Sequence, residues 1–210
     1  MKKISLFTLT LALLALPLMA QETENEDVKK DDFKRWQVRF RGLVVSPFES
    51  DNFQGAEVEV STTATPEVDF TYFFTKNLAA ELILATTYHE VDLNDGTSLG
   101  GVWLLPPTLL VQYHLPLDNW KPYVGAGVNY TIFYEESNGD ILDMDYDDSF
   151  GFAFQVGVDY FLNDKWFLNL DVKQLILSTD VVAQVDLVNS LPVEVDLNPF
   201  IIGFGVGFRF

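Results

Sequence analysis

The sequence predicts an all-β protein: an eight-stranded antiparallel transmembrane β-barrel with short periplasmic turns and longer extracellular loops. Three observations predict it. Hydrophobicity alternates with a period of two in segment after segment. Tight turns and long polar loops take turns along the chain. Aromatic residues gather at the segment ends. A strand sets successive side chains on opposite faces, so a sustained alternation means that one face meets something apolar. An even strand number with short turns at one end and long loops at the other is how outer-membrane barrels are built.

In chain order, residues 1–20 come first. Lys2 and Lys3, the apolar stretch Ile4 to Leu16, then Pro17 and Ala20 form the pattern of a secretory signal peptide, with Gln21 as the expected mature N-terminus. Residues 21–33 are charged and nearly free of apolar side chains, the composition of a flexible acidic periplasmic tail. The barrel is expected over 34–210. Its strands are predicted at 35–47, 62–74, 77–90, 102–115, 120–134, 149–162, 165–178 and 195–210. The alternation is clearest in Phe200, Ile202, Phe204, Val206, Phe208 and Phe210, with Gly203, Gly205, Gly207 and Arg209 between them. It recurs in Val124 to Ile132, in Phe150 to Tyr160 and in Trp166 to Val172. Thr75-Lys76, Leu117-Asp118-Asn119 and Asn163-Asp164 read as tight turns, and 48–61, 91–101, 135–148 and 179–194 as polar loops. Pro66, Pro106, Pro107 and Pro199 interrupt this pattern, and since Pro cannot donate to a ladder they predict bulges or strand ends.

A water-soluble sandwich or lipocalin-like barrel also alternates, but it would turn its bulky face to the core. Here the polar face mixes charge with Gly and Ala, which suits a crowded interior. Trp36, Phe74, Trp120, Tyr123, Tyr160, Trp166, Phe208 and Phe210 lie beside the turns, and Trp103, Tyr130, Tyr134, Phe150 and Phe152 towards the loops. Two such belts are expected where headgroups meet hydrocarbon, so Trp36, Trp120, Tyr123, Tyr160, Trp166 and Phe210 are assigned to the membrane interface. In lipid the sheet must close on itself to satisfy its backbone. The expected location is the bacterial outer membrane.

Composition narrows the function. With 13 Lys+Arg against 31 Asp+Glu, a net charge of −18, the chain lacks the basic footprint of a nucleic-acid binder. Zero Cys excludes disulfides, thiol nucleophiles and Cys-ligated metals. Alternation assigns Arg39, Arg41, Glu67, Asp69, Glu81, Gln112, Asn129, Gln155, Asp159, Asn169, Asp171, Lys173 and Arg209 to the lumen. Charges in so narrow a bore are expected to pair and plug it, or to form a polar gate. An apolar access path from the loop end is expected from Phe48, Leu99, Leu104, Leu105, Leu175 and Leu177, with Phe53, Val102, Ile141 and Leu142 nearby.

Other motifs are weaker. Asp143-x-Asp145-x-Asp147 imitates the start of a calcium loop, but its sixth position is Asp148 and its twelfth Phe154, so the motif fails. The acids of 135–148 read as a solvated loop, with cation bridging to lipopolysaccharide as the alternative. His89 is expected near an outer loop and His114 near a turn, too far apart to share a metal. Ser98 with His89 would be the one hydrolase arrangement, and no G-x-S-x-G, P-loop or Rossmann string accompanies it. No catalytic residue, cofactor or metal site is assigned.

The strings LPPTLLVQYHL (105–115), PYVGAGVNYTIFYEE (122–136), FGFAFQVGVDYFLNDKWFLNLDV (150–172) and GFGVGFRF (203–210) resemble the outer membrane protein W (OmpW) family. The resemblance departs at Leu104, where the family pattern has His. It implies an eight-stranded outer-membrane barrel with a hydrophobic channel for small hydrophobic molecules, and no enzymatic activity. The alternative is a sealed structural or receptor barrel whose extracellular loops bind phage, bacteriocin or host ligands. Expected partners are the lipid bilayer and lipopolysaccharide, small hydrophobic compounds, and periplasmic chaperones and barrel-assembly machinery that engage the C-terminal strand.

Overall fold

The computed structural model describes residues 33–46, 52–53, 56–93, 98–138, 143–184 and 190–210. The signal peptide and residues 21–32 of the expected tail lie outside them. Phe33, expected in that tail, belongs instead with the barrel, its ring edge-on to Phe73 at 6.2 Å. An aromatic residue gains by covering the lumen floor, which the charged residues before it would not.

Eight walls make the barrel. β1 (Trp36–Ser46) is the first. β2 (Asn52–Phe53) and β3 (Ala56–Val60) precede the second, β4 (Thr63–Phe73). The third is β5 (Leu78–Ala85) prolonged by β6 (Thr87–Leu93). The fourth is β7 (Ser98–Leu105) followed by β8 (Thr108–His114), and the fifth is β9 (Trp120–Asn138). β10 (Asp143–Tyr146) leads into β11 (Ser149–Phe161), the sixth. β12 (Trp166–Ile176) with β13 (Ser178–Gln184), and β14 (Ser190–Asp196) with β15 (Phe200–Arg209), complete the set. All neighbours are antiparallel, in the order β11-β12-β15-β1-β4-β5-β8-β9, and β9 pairs back onto β11. The ring closes, so its walls leave no edge in lipid.

Short side chains build the tight turns. Thr75 Oγ1 accepts the backbone N–H groups of Asn77 and Leu78 at 3.2 and 2.9 Å, and Asn163 Oδ1 accepts those of Lys165 and Trp166, both at 2.9 Å. These side chains stand in for the backbone acceptors a tighter loop lacks.

Two of the sequence expectations are corrected at the loop end. First, the polar loops are partly strand: β3 pairs with β6, β6 with β7 and β7 with the upper part of β9, while β10, β13 and β14 form a second sheet. Above the bilayer the pairing continues in short, acid-rich strands such as β3 and β10. Second, Pro66 neither ends nor bulges its strand but lies within β4, opposite Gly42. Bonding alternates sides along β4: Phe73 N–H donates to Arg35 on the β1 side and Phe74 N–H to Leu78 on the β5 side. The same alternation aims the Pro66 nitrogen at Thr86, and the Thr86 carbonyl takes the Thr65 hydroxyl instead, at 2.5 Å. The break falls on the neighbouring wall, between β5 and β6. Pro106-Pro107 and Pro199 do interrupt their own walls.

The outer face is apolar from belt to belt: Phe40, Val44, Phe70, Leu109, Val111, Phe154, Val156, Leu170, Phe204 and Val206 are all exposed. Trp36, Trp120, Trp166 and Phe210 stand exposed at the turn end and Tyr160 half-buried there, with Trp103, Tyr130, Phe150 and Phe152 exposed towards the loops. Rings pair across walls, as Trp36 with Tyr72 at 4.9 Å and Trp120 with Tyr160 at 4.6 Å.

Candidate functional site: a layered lumen

The lumen is filled in layers. At the turn end the floor is a stack of rings and cations. The Arg209 guanidinium lies 3.9 Å from the Phe73 ring, Phe73 is 4.8 Å from His114, and His114 stacks on Tyr123 at 4.8 Å. Arg39 lies over Tyr123 at 5.0 Å and over Phe167 at 5.8 Å, and Phe167 stacks on Phe161 at 4.8 Å. Glycines directly opposite on the neighbouring, paired walls make room for these rings. A Cβ at Gly157 would come within 2.4 Å of the Tyr123 ring, and one at Gly207 within 2.0 Å of Phe167.

The middle layer is ionic. Arg39 pairs with Asp69, Glu81 and Asp159 at 3.1, 2.7 and 3.1 Å. Arg41 pairs with Glu67, Asp69, Glu81 and Asp171 at 2.6, 2.8, 3.3 and 3.3 Å. Lys173 bridges Glu67 at 2.8 Å and Asp171 at 3.2 Å. Amides satisfy the remaining oxygens: Gln112 and Gln155 both donate to Glu81 Oε2, at 2.7 and 2.9 Å, and Asn169 donates to Asp159 at 2.8 Å. Tyr123 donates its hydroxyl to Asp171 at 2.9 Å. Buried charges are tolerable only when paired and hydrogen-bonded in this way.

Above lies an apolar layer: Leu43, Val45, Ile83, Leu110, Ala153, Leu175, Leu177 and Ile201, all buried, with Ala85 and Leu197 against them. Higher still, Asn129 donates to Thr108 Oγ1 at 2.9 Å and Thr131 donates to Asn129 at 2.7 Å.

Every polar residue assigned to the lumen turns inward and is buried: Arg39, Arg41, Glu67, Asp69, Glu81, Gln112, Asn129, Gln155, Asp159, Asn169, Asp171, Lys173 and Arg209. Of the access-path residues, Leu175 and Leu177 lie in the apolar layer, Val102 is buried, and Leu104 and Leu105 are half-buried beside the proline break. Phe48, Ile141 and Leu142 lie outside the described residues, as do the side chains of Phe53 and Leu99. Tyr123 is a correction. It is not an interfacial ring but 2% exposed, part of the floor. Its even-numbered neighbours Val124 and Val128 face lipid, so parity sends an odd residue inward. Position within the alternation of each strand likewise turns Phe73, Phe161 and Phe167 inward at odd numbers and His114 at an even one, beside Leu110 and Gln112.

The remaining titratable groups are structural. A strand crosses hydrocarbon in about 9–11 residues, so from Leu78 the crossing is complete by Tyr88 and His89 stands beyond it. His89 Nδ1 donates to the Ser61 carbonyl at 2.8 Å and Nε2 faces Thr87 Oγ1 at 3.3 Å. Burial holds this imidazole below its ordinary pKa of 6.5, against the opposing pull of the Ser61 bond. Asp148, expected to be solvated, is exposed and also bridges two walls. Its Oδ1 accepts the Phe133 N–H at 3.2 Å and its Oδ2 the Tyr130 hydroxyl at 3.0 Å. It sits where the β9–β11 ladder stops, at Thr131 with Ser149, although β9 runs on to Asn138. Among the described residues no group of His, Asp or Glu could hold a metal ion.

Comparison with known proteins places this architecture. A model of the OmpW family matches residues 42–210. An uncharacterized outer-membrane protein of Sinorhizobium fredii, y4mB, is 42% identical over 182 residues, 83% of this chain and 80% of that protein. Outer membrane protein W of Vibrio cholerae is 34% identical over 183 residues, 80% and 84% of the two chains. The crystal structure of OprG from Pseudomonas aeruginosa superposes with a TM-score of 0.77 at 28% identity, covering 84% of this chain and 96% of that one. The structure of AlkL in lipid bilayers gives 0.69 at 27% identity, covering 90% and 97%. A dibenzothiophene metabolism operon protein of Pseudomonas aeruginosa, PahQ, is 32% identical over 116 residues, 55% of this chain and 54% of that one.

Proposed function

The chain belongs to the OmpW family of outer-membrane β-barrels, and from that premise we propose that it admits small hydrophobic molecules from outside the cell. In this reading they enter the apolar layer from the loop end and leave sideways. The observation that carries the reading is the apolar layer of Leu43, Leu110, Leu175 and their neighbours, standing directly on an ionic plug. An apolar solute gains by leaving water for the first, at roughly 25 cal/mol per Å² of surface buried. To pass the second it would have to part buried ion pairs, each at several kcal/mol. The route therefore turns at the plug. The termination of the β9–β11 ladder at Thr131 and Ser149, above the apolar layer, supplies a seam where wall bonding is replaced by Asp148. The kinship to a protein named for dibenzothiophene metabolism supports an apolar cargo of that size.

Uptake of dibenzothiophene by cells with and without the barrel tests this. Leu177→Asp, a charge set in the apolar layer two inward positions above the plug residue Lys173, is expected to reduce uptake to the level of barrel-free cells while the protein still folds into detergent micelles. Uptake unchanged by Leu177→Asp overturns the reading and leaves the sealed receptor barrel, which the plug alone would favour.

A further inference from the structure

The barrel's charges are sorted along its axis. Segments 47–61, 86–107, 130–150 and 174–200, at the loop end, contain eighteen Asp and Glu and not one Lys or Arg. Within residues 34–210 the turn end carries Lys34, Arg35, Lys76 and Lys165, with Lys121 and Arg209 against the lumen-floor rings, and only Asp118 and Asp164 oppose them; the acidic stretch 21–32 precedes Lys34 in the sequence. The other bases of the barrel, Arg39, Arg41 and Lys173, are taken up by the plug.

Among the described residues, no ion pair involves the six turn-end cations. Lys34, Arg35, Lys121, Lys165 and Arg209 touch backbone carbonyls and rings instead. Lys34 donates to the Asp164 carbonyl at 2.7 Å and Arg35 to the Phe74 carbonyl at 2.9 Å. Lys121 lies 3.9 Å from the Phe161 ring and Lys165 lies 6.0 Å from that of Phe208. Arg35, Lys76 and Lys165 are exposed. Directly beside them stands the belt of Trp36, Trp120, Trp166 and Phe210, the level at which headgroups begin.

We propose that the turn end of the barrel is a binding surface for anionic phospholipid headgroups of the periplasmic leaflet. Uncompensated cations at headgroup depth attract lipid phosphates, and the aromatic belt fixes that depth. The loop end repels the same headgroups, so an anionic lipid there is held only through a bridging divalent cation. The inference does not depend on what passes through the lumen.

Tryptophan quenching in vesicles tests it. In mixtures of phosphatidylcholine and phosphatidylglycerol with one of the two brominated, quenching reports the lipid around each ring. The Trp103→Phe protein keeps Trp36, Trp120 and Trp166, all at the turn end. Around them phosphatidylglycerol is expected to exceed its bulk proportion at low salt, by up to roughly fivefold per engaged cation. The excess should vanish in Lys34→Gln/Lys76→Gln/Lys165→Gln. The protein keeping only Trp103 should see the bulk proportion or less. Displacement by millimolar inorganic phosphate at constant ionic strength would reassign the surface to free phosphate. A bulk proportion at the turn end, or equal enrichment at both ends, overturns the proposal. Should the triple variant fail to refold, a salt series on Trp103→Phe decides, because enrichment that survives molar salt is not electrostatic.

Discussion

Arg39 shows how much one side chain holds here. It reaches three carboxylates from three other walls and lies between two aromatic rings. Arg39→Met keeps the bulk and removes the charge, leaving Asp69, Glu81 and Asp159 short of a partner at full burial. The expected cost is about 3–5 kcal/mol, measured by urea unfolding of the refolded protein in micelles. Arg39→Lys should recover only part of it, since one ammonium cannot reproduce the planar fork. The facing of such residues was legible in the sequence, because parity alone sends Arg39, Asp69 and Asp171 inward. Tyr123 was misread because its residue type, at home in interfacial belts, was weighed above its odd position. Which carboxylate meets which guanidinium was not legible, since partners such as Arg39 and Asp159 lie on walls that do not touch.

Between neighbouring elements the weakest joint is the one between β9 and the β10–β11 wall. Its backbone ladder ends at Thr131 and Ser149, and Asp148 carries the connection upward. Asp148→Ala removes both acceptor oxygens. Amide exchange at Phe133 should rise about ten- to a hundredfold, in line with losing a charged hydrogen bond of roughly 1.5–3 kcal/mol, while exchange within the ladder from Trp120 to Thr131 stays unchanged. Equal protection in variant and parent would show that packing of Phe133 on Tyr146, 5.5 Å apart, holds the joint instead. The eight walls and their turns were readable from period and turn chemistry. Their prolongation beyond the bilayer was not, because β3 and β10 alternate over only five and four residues and lie in acid-rich segments that read as solvated loops. Asp148 was hidden among like residues, one acid in a run of them.

For the molecule as a whole, the plug spans the bore. Planar-bilayer recordings of the refolded protein should show no steady ionic conductance of porin size, since an eight-stranded bore is already filled by side chains. Stable open steps would mean that the ion pairs of Arg41 and Lys173 part readily. Closure has another side. Trp36 and Phe210 exchange reciprocal backbone bonds, donor to acceptor both ways, at 3.0 and 2.8 Å. The seam that shuts the cylinder thus joins the two most distant stretches of the barrel sequence. Until the final strand pairs, the first one has an unmated edge. Assembly is consequently all or nothing, and a chain cut short before β15 would carry two open borders instead of none.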